Sequence, residues 1–167
     1  MYDELTEVDI KKMEEEIEYR SGELARELGA ELKRTREFGD LSENAEYKEA
    51  KRAKRKNESR IRYLQNMIRT AKVIEIDRKG GGIALFDKVK ILNEKNGMEK
   101  SIQIVTTLRQ NALLGFVSKE SPLGSALIGK RVGERVLVTV NDNLSYYVKI
   151  LSFEHGEDNE ELPISEY

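Results

Sequence analysis

The chain of 167 residues contains no cysteine. That absence excludes disulfide scaffolds, cysteine-ligated zinc and cysteine nucleophiles. It has no tryptophan and a single histidine, His155, so histidine-rich metal sites are excluded too. A serine–histidine–aspartate triad would have to use that one residue, which sits in an acidic stretch with Glu154, Glu157 and Asp158. Any metal should therefore be a hard cation held by oxygen, such as Mg²⁺. No apolar run approaches the roughly 18–20 residues of a membrane span. Met1-Tyr2-Asp3-Glu4 lacks the basic and apolar segments of a secretory leader, so a cytoplasmic protein is expected. An excess of one charge is also missing. Lys and Arg number 29 against 31 Asp and Glu, a net of -2, which is not the signature of a general polyanion binder. The hydrophobic share, 38%, is low for one globule and suits an elongated molecule with a small core.

Glycine and proline are unevenly spread. Residues 1–72 hold only Gly22, Gly29 and Gly39 and no proline, whereas the other nine glycines and both prolines follow. The shift marks a domain boundary. The expected division is a helical hairpin over 1–76, a linker over 77–83 (Asp77-Arg78-Lys79-Gly80-Gly81-Gly82 at its centre), a β domain over 84–153 and an acidic, fraying tail over 154–167. In the first part, Ile10, Met13, Ile17, Leu24, Leu28 and Leu32 recur at helical spacings. Tyr47, Ala50, Lys54, Asn57, Ile61, Leu64, Ile68 and Ala71 form a second series with the alternating spacing of a coiled-coil seam. Gly39 can stop the first helix, and Asp40 or Ser42 can cap the second. In the second part, short strands are expected at 88–92, 101–107, 112–117, 135–140 and 146–153. Asn141-Asp142-Asn143 marks a hairpin turn, and one short helix follows Ser121-Pro122. The fold class is α+β, an antiparallel helical hairpin followed by a small antiparallel β domain with one short helix.

The near-zero net charge conceals a pattern. Residues 1–31 carry eleven acids and four bases, while 48–62 carry eight bases and two acids. Either the two arms pair acid with base, or the second arm carries a stripe for a nucleic-acid backbone. Lys48, Arg52, Arg55 and Lys56 fall near one helix face; Lys51 and Arg62 lie off it. Asp40 and Glu43, at the junction of the arms, have the spacing of a capping box. They also suit a half-built Mg²⁺ site, since Mg²⁺ commonly takes only one or two protein carboxylates.

The run Arg36-Glu37-Phe38-Gly39-Asp40-Leu41-Ser42-Glu43-Asn44-Ala45-Glu46-Tyr47 resembles a signature of the bacterial Gre transcript-cleavage factors, the GreA/GreB family. Ser121-Pro122-Leu123-Gly124-Ser125-Ala126-Leu127-Ile128-Gly129-Lys130, followed by Gly133-Glu134, resembles the family's second signature. The resemblance covers roughly residues 5–153. It implies a coiled-coil hairpin and an FKBP-like domain that docks on RNA polymerase, with Ser121 and Pro122 among the docking residues. It implies that the hairpin enters the secondary channel and that Asp40 and Glu43 help hold a catalytic Mg²⁺ shared with the polymerase, none being stably bound by the chain alone. Gly39, Ser42 and Asn44 would shape the tip, and Tyr47 would pack or contact near it. Lys51, Arg52, Lys54, Arg55 and Lys56 would form the basic patch that meets the RNA 3′ end of a backtracked complex. The run 54–64 is closer to the branch of the family with the larger patch. The chain would be no enzyme itself but a monomeric stimulator of the polymerase's own RNA hydrolysis.

Three departures qualify the match. The first helix lacks the Arg-Pro the family often carries, so a straighter helix is expected. The acidic loop before the second signature is replaced by Thr107-Leu108-Arg109-Gln110-Asn111. The tail is longer and more acidic. Two alternatives stand beside the leading reading, a Gre-like inhibitor that blocks the channel and a coiled-coil adaptor with an isomerase domain.

Overall fold

The structure, a computed structural model, describes residues 3–37, 39 and 44–166. The chain divides into two compact units, residues 10–71 and residues 1–9 together with 72–167.

The helical unit follows from the spacing of its apolar residues. Helix α1 spans Glu7–Ser21, α2 Glu23–Arg36 and α3 Ala45–Thr70. Glu16 meets Arg60, Arg20 meets Asn57, and Thr35 meets Asn44. One arm advances as the other recedes, so the arms are antiparallel. Met13 and Leu64 are fully buried in the seam, with Ala50, Thr35, Asn57 and Arg60. The expected seam is corrected at Lys54, which is about half exposed (47%) and pairs with Glu58. Ala53 is the half-buried residue there, because a lone ammonium in an apolar seam loses its hydration. The expected straight first arm is also corrected. It breaks at Gly22 (φ -101°, ψ -94°) between α1 and α2. No proline is needed, because glycine tolerates the approach: a Cβ there would lie 3.0 Å from the Glu18 carbonyl.

The second unit carries a two-stranded parallel pair, β1 (Glu4–Leu5) with β2 (Lys72–Val73), which sequence patterning did not reveal. Its main sheet contains β3 (Lys88–Asn93), β4 (Glu99–Val105), β5 (Phe116–Ser118), β6 (Arg135–Asn141) and β7 (Leu144–Glu154). The strand order is β5-β4-β3-β7-β6. Inward residues recur two apart, as strands require: Val89 and Ile91, Ile102 and Ile104, Val136 and Val138, Val148 and Ile150 are all buried. Helix α4 (Pro122–Leu127) adds Leu127 to this core. The all-antiparallel expectation is corrected, because β4 and β5 pair in parallel. So is the strand expected at 112–117. Residues Ala112–Leu114 form a 3₁₀ turn, Gly115 takes φ +82°, and only the last residues join the sheet.

The segment expected as a linker, 77–83, lies inside this unit. Arg78 Nη1 donates to the buried carboxylate of Asp87 at 2.6 Å. Gly82 is buried where a Cβ would meet the Gly129 carbonyl at 2.4 Å. The tail does not fray. Gly156 passes so close to the Phe86 carbonyl that a Cβ would lie 1.9 Å from it, Leu162 packs on the core, and the Ser165 amide donates to the Leu108 carbonyl at 2.6 Å.

Candidate functional site

Asp40, Ser42 and Glu43 lie outside the described residues. Their flanks are described. Helix α2 ends at Arg36, Gly39 is exposed with φ +100°, and α3 starts at Ala45. The cap of α3 is neither Asp40 nor Ser42, as expected from spacing, but Asn44. Its Oδ1 accepts from the Tyr47 amide at 3.0 Å, as a helix cap requires. Its Nδ2 donates to the Thr35 carbonyl at 2.8 Å. One side chain therefore caps one arm and ties it to the end of the other. The cap of α3 is therefore supplied by a residue outside the Asp40–Glu43 pair. Among the described residues no group of three or more histidine and acidic side chains comes together to hold a metal.

Tyr47 is half-buried one turn into α3. The Arg36 guanidinium lies 5.8 Å and the Lys51 ammonium 6.0 Å from its ring centre, within cation–π range. A hydrogen bond from Arg36 holds the phenol below its ordinary pKa, and the charges of Arg36, Lys51 and Arg55 add to the effect against the opposing cost of burial. Positions 47, 51 and 55 are one helical turn apart, so the tyrosine and two cations share a face.

Lys51, Arg52, Lys54, Arg55 and Lys56 are all exposed. Lys54 pairs loosely with Glu58 (3.9 Å). Among the described residues, Arg52, Arg55 and Lys56 make no ion pair. Arg60, counted in the same basic run, has another task. Its side chain is buried and grips Glu16 of α1 at 3.2 Å. The bases of this run therefore divide between two environments. Bases on the inner side pair across the hairpin, and those outside face solvent.

In the second unit, Ser121 caps α4. Its Oγ accepts from the Gly124 amide at 3.0 Å and donates to the Ser118 carbonyl at 2.6 Å. Pro122 follows, exposed, at the first helical position. Gly124 is fixed by packing, since a Cβ would lie 2.0 Å from the Ser118 carbonyl. The turn thus presents Ser121 and Pro122 on a rigid base. The same unit holds a residue whose importance sequence reading missed. Arg109 is fully buried, donates to Asp9 Oδ1 at 2.6 Å and stacks 5.2 Å from the centre of the Phe86 ring. It also makes a 2.5 Å ion contact with Asp158, at an angle unsuited to a hydrogen bond. Asp9 in turn accepts from the Thr6 amide at 3.0 Å, while the Thr6 hydroxyl accepts from the Asp9 amide at 3.3 Å. Thr6 and Asp9 three residues apart were a legible capping signal; their link to Arg109 was not.

The family model described as "Transcription elongation factor, N-terminal" matches residues 4–73. The model described as "Transcription elongation factor, GreA/GreB, C-term" matches residues 79–155. The chain is 38% identical over 149 residues to transcription elongation factor GreA of Clostridium acetobutylicum, covering 89% of this chain and 94% of that protein. It is 41% identical over 137 residues to the GreA of Caldanaerobacter subterraneus, covering 81% and 87%. Among solved structures it is similar to GreA factor homolog 1 of Thermus thermophilus, at 23% identity and a TM-score of 0.42, covering 93% of this chain and 100% of that one.

Proposed function

The chain belongs to the GreA/GreB family of transcription elongation factors, and from that premise we propose that it stimulates RNA polymerase to cleave backtracked transcripts. The observation that carries the proposal is the connection between α2 and α3. There the sequence places two carboxylates, Asp40 and Glu43, just before Asn44, which itself caps α3, and they are followed on α3 by Arg52, Arg55 and Lys56, exposed and without an ion pair among the described residues. Asp40 and Glu43 would hold Mg²⁺ jointly with the polymerase, and such an ion stabilises the charge that builds on oxygen during phosphodiester hydrolysis. Arg52, Arg55 and Lys56 offer the RNA backbone three exposed charges that make no ion pair among the described residues. Ser121 and Pro122 sit on a turn rigid enough to serve as a docking point. The chain performs no chemistry alone in this reading; it completes a site that the polymerase supplies. Neither the inhibitor nor the isomerase reading draws support from relatives named as elongation factors.

The test is addition of the protein and Mg²⁺ to stalled, backtracked elongation complexes, with the RNA resolved on a gel. Transcripts shorten with the wild-type chain and stay intact with Asp40→Ala or Glu43→Ala, while polymerase binding persists. Cleavage unchanged in both variants, or blocked nucleotide addition without shortening, overturns the reading. For the cations, Arg52→Glu with Arg55→Glu weakens the response to long backtracked RNA. Each lost phosphate contact lowers the salt dependence by about 0.7 log units per log unit of salt.

A further inference from the structure

The first arm of the hairpin is cut at Gly22, yet its apolar spacing runs on in phase, with Ile17 and Leu24 seven residues apart. Packing of the seam alone does not demand a break. Opposite the break, α3 is continuous and presents Asn57, only 5% exposed. Its two amide atoms grip one residue. Nδ2 donates to the Arg20 carbonyl at 2.8 Å, and Oδ1 accepts from Arg20 Nη1 at 3.1 Å. Arg20 lies in the last turn of α1, where carbonyls run out of partners within the helix. Glu16, one turn earlier, contacts the Arg20 guanidinium at 3.4 Å and is held from α3 by Arg60 at 3.2 Å.

We propose that Asn57 is a positioning residue, which locks the break at Gly22 through Arg20 and so sets the course of the distal hairpin that carries Asp40 and Glu43. The inference rests on the cleavage reading above. A buried amide is costly unless both its donor and its acceptor are satisfied. Asn57 is satisfied only in this register and only while the Arg20 carbonyl is turned toward it. Closing the break would return that carbonyl to the helix and strand the amide. Buried polar groups at seam positions are known to fix register in this way. Break and register are therefore one device. The part of the hairpin beyond Gly22 takes its direction from it.

The test uses two variants that attack the device from opposite sides. Asn57→Leu removes the grip and keeps the seam apolar; Gly22→Ala favours an unbroken helix. The chain has no cysteine, so spin labels at Glu14→Cys and Lys33→Cys, both exposed, report the distance across the break in the full chain. Both variants shift or broaden that distance while helicity by circular dichroism is kept. With saturating factor, the maximal cleavage rate falls roughly tenfold or more, as small misplacements of catalytic groups do, while affinity for the polymerase stays within about twofold of wild type. An unchanged distance in both variants overturns the proposal. So does a changed distance with an unchanged maximal rate. If the wild-type chain itself gives no cleavage, the cleavage reading fails instead, and the distance measurement still decides whether Asn57 holds the break.

Discussion

The two units are held together by different kinds of interior. The β unit encloses a continuous apolar core, with Phe86, Ile104, Val138, Val148 and Ile150 wholly out of water. The helical unit has few fully buried apolar side chains, Met13 and Leu64 among them, and fills much of its seam with Thr35, Asn57 and Arg60. A thin hairpin has little area to bury. Its apolar contacts supply stability in small amounts, and its polar contacts decide which residues face each other. The β unit reverses that balance, with apolar burial supplying stability and buried ion pairs, Arg109 with Asp9 and Arg78 with Asp87, tying its segments together. Stability should therefore fall most where the β unit is disturbed, and specificity of geometry should suffer most in the hairpin.

The largest effect is expected at Arg109. Its guanidinium neutralises Asp9, which is itself completely buried, and holds the tail through Asp158 and the Asn159 carbonyl. Removing one partner of a buried ion pair leaves the other charge uncompensated and costs about 3–5 kcal/mol. Arg109→Met should destabilise the β unit by that amount in urea unfolding followed by circular dichroism. The double variant Asp9→Leu with Arg109→Met should recover much of the loss, because no lone charge remains. Equal instability of single and double variants would mean that the shape of the guanidinium matters more than its charge.

The caps come next and set the units side by side. Ser121→Ala removes one cap bond in the β unit and should cost about 1 kcal/mol. Asn44→Ala removes the cap of α3 and also the bond to Thr35 across the hairpin. Its cost should lie toward the upper end of the 0.5–2 kcal/mol range for caps, near ~2 kcal/mol. Asn44→Asp separates the two roles, since a carboxylate still caps but cannot donate to the Thr35 carbonyl. Thermal unfolding of the three variants ranks them; equal losses for Asn44→Ala and Ser121→Ala would show that the cross-arm bond adds nothing.

How much of this was legible in the sequence varied with the range of the interactions. Apolar spacing located the two arms, and alternation located β3, β6 and β7. Ser121 and Pro122 announced α4, because a cap acts within three residues. The misreadings have local causes. Asp40, Ser42 and Asn44 are all competent caps, and the bond from Asn44 to Thr35, which spans the hairpin, favours the last. Ala53 and Lys54 both fit a seam spacing, and the cost of burying an ammonium chose between them. The strand expected at 112–117 gave way to a 3₁₀ turn with Leu113 almost fully exposed and Gly115 left-handed. The pairing of Arg109 with Asp9 spans a hundred residues, and no local pattern marks which of many acids a buried arginine takes. The acids Asp40 and Glu43 stood out only as part of a longer motif, since their spacing alone fits an ordinary cap.

The smallest effect concerns the edge of the β unit, where charge sits near water. Glu4 on β1 pairs with Lys119. The hydrogen bond from Lys119, then its charge, holds the Glu4 carboxyl below the usual carboxylate range; Lys72 adds to this and burial opposes it. A carboxyl with a lower pKa in the folded state than in the unfolded one stabilises the fold above the ordinary carboxylate range. That contribution is lost as the pH falls through the folded value. Both side chains are partly exposed, 22% for Lys119 and 32% for Glu4, so solvent keeps the contribution under about 1 kcal/mol. Glu4→Gln should therefore be slightly less stable than wild type near neutral pH. The two should converge as the pH falls below the ordinary carboxylate range and through the lowered folded value, where the wild-type carboxyl becomes protonated and resembles the amide. A gap that does not narrow with acid would assign the loss to packing of β1 instead of charge. It would leave the β unit with Arg109 as its principal electrostatic tie, in sharper contrast to a hairpin seam organised around Glu16, Arg20, Asn57 and Arg60.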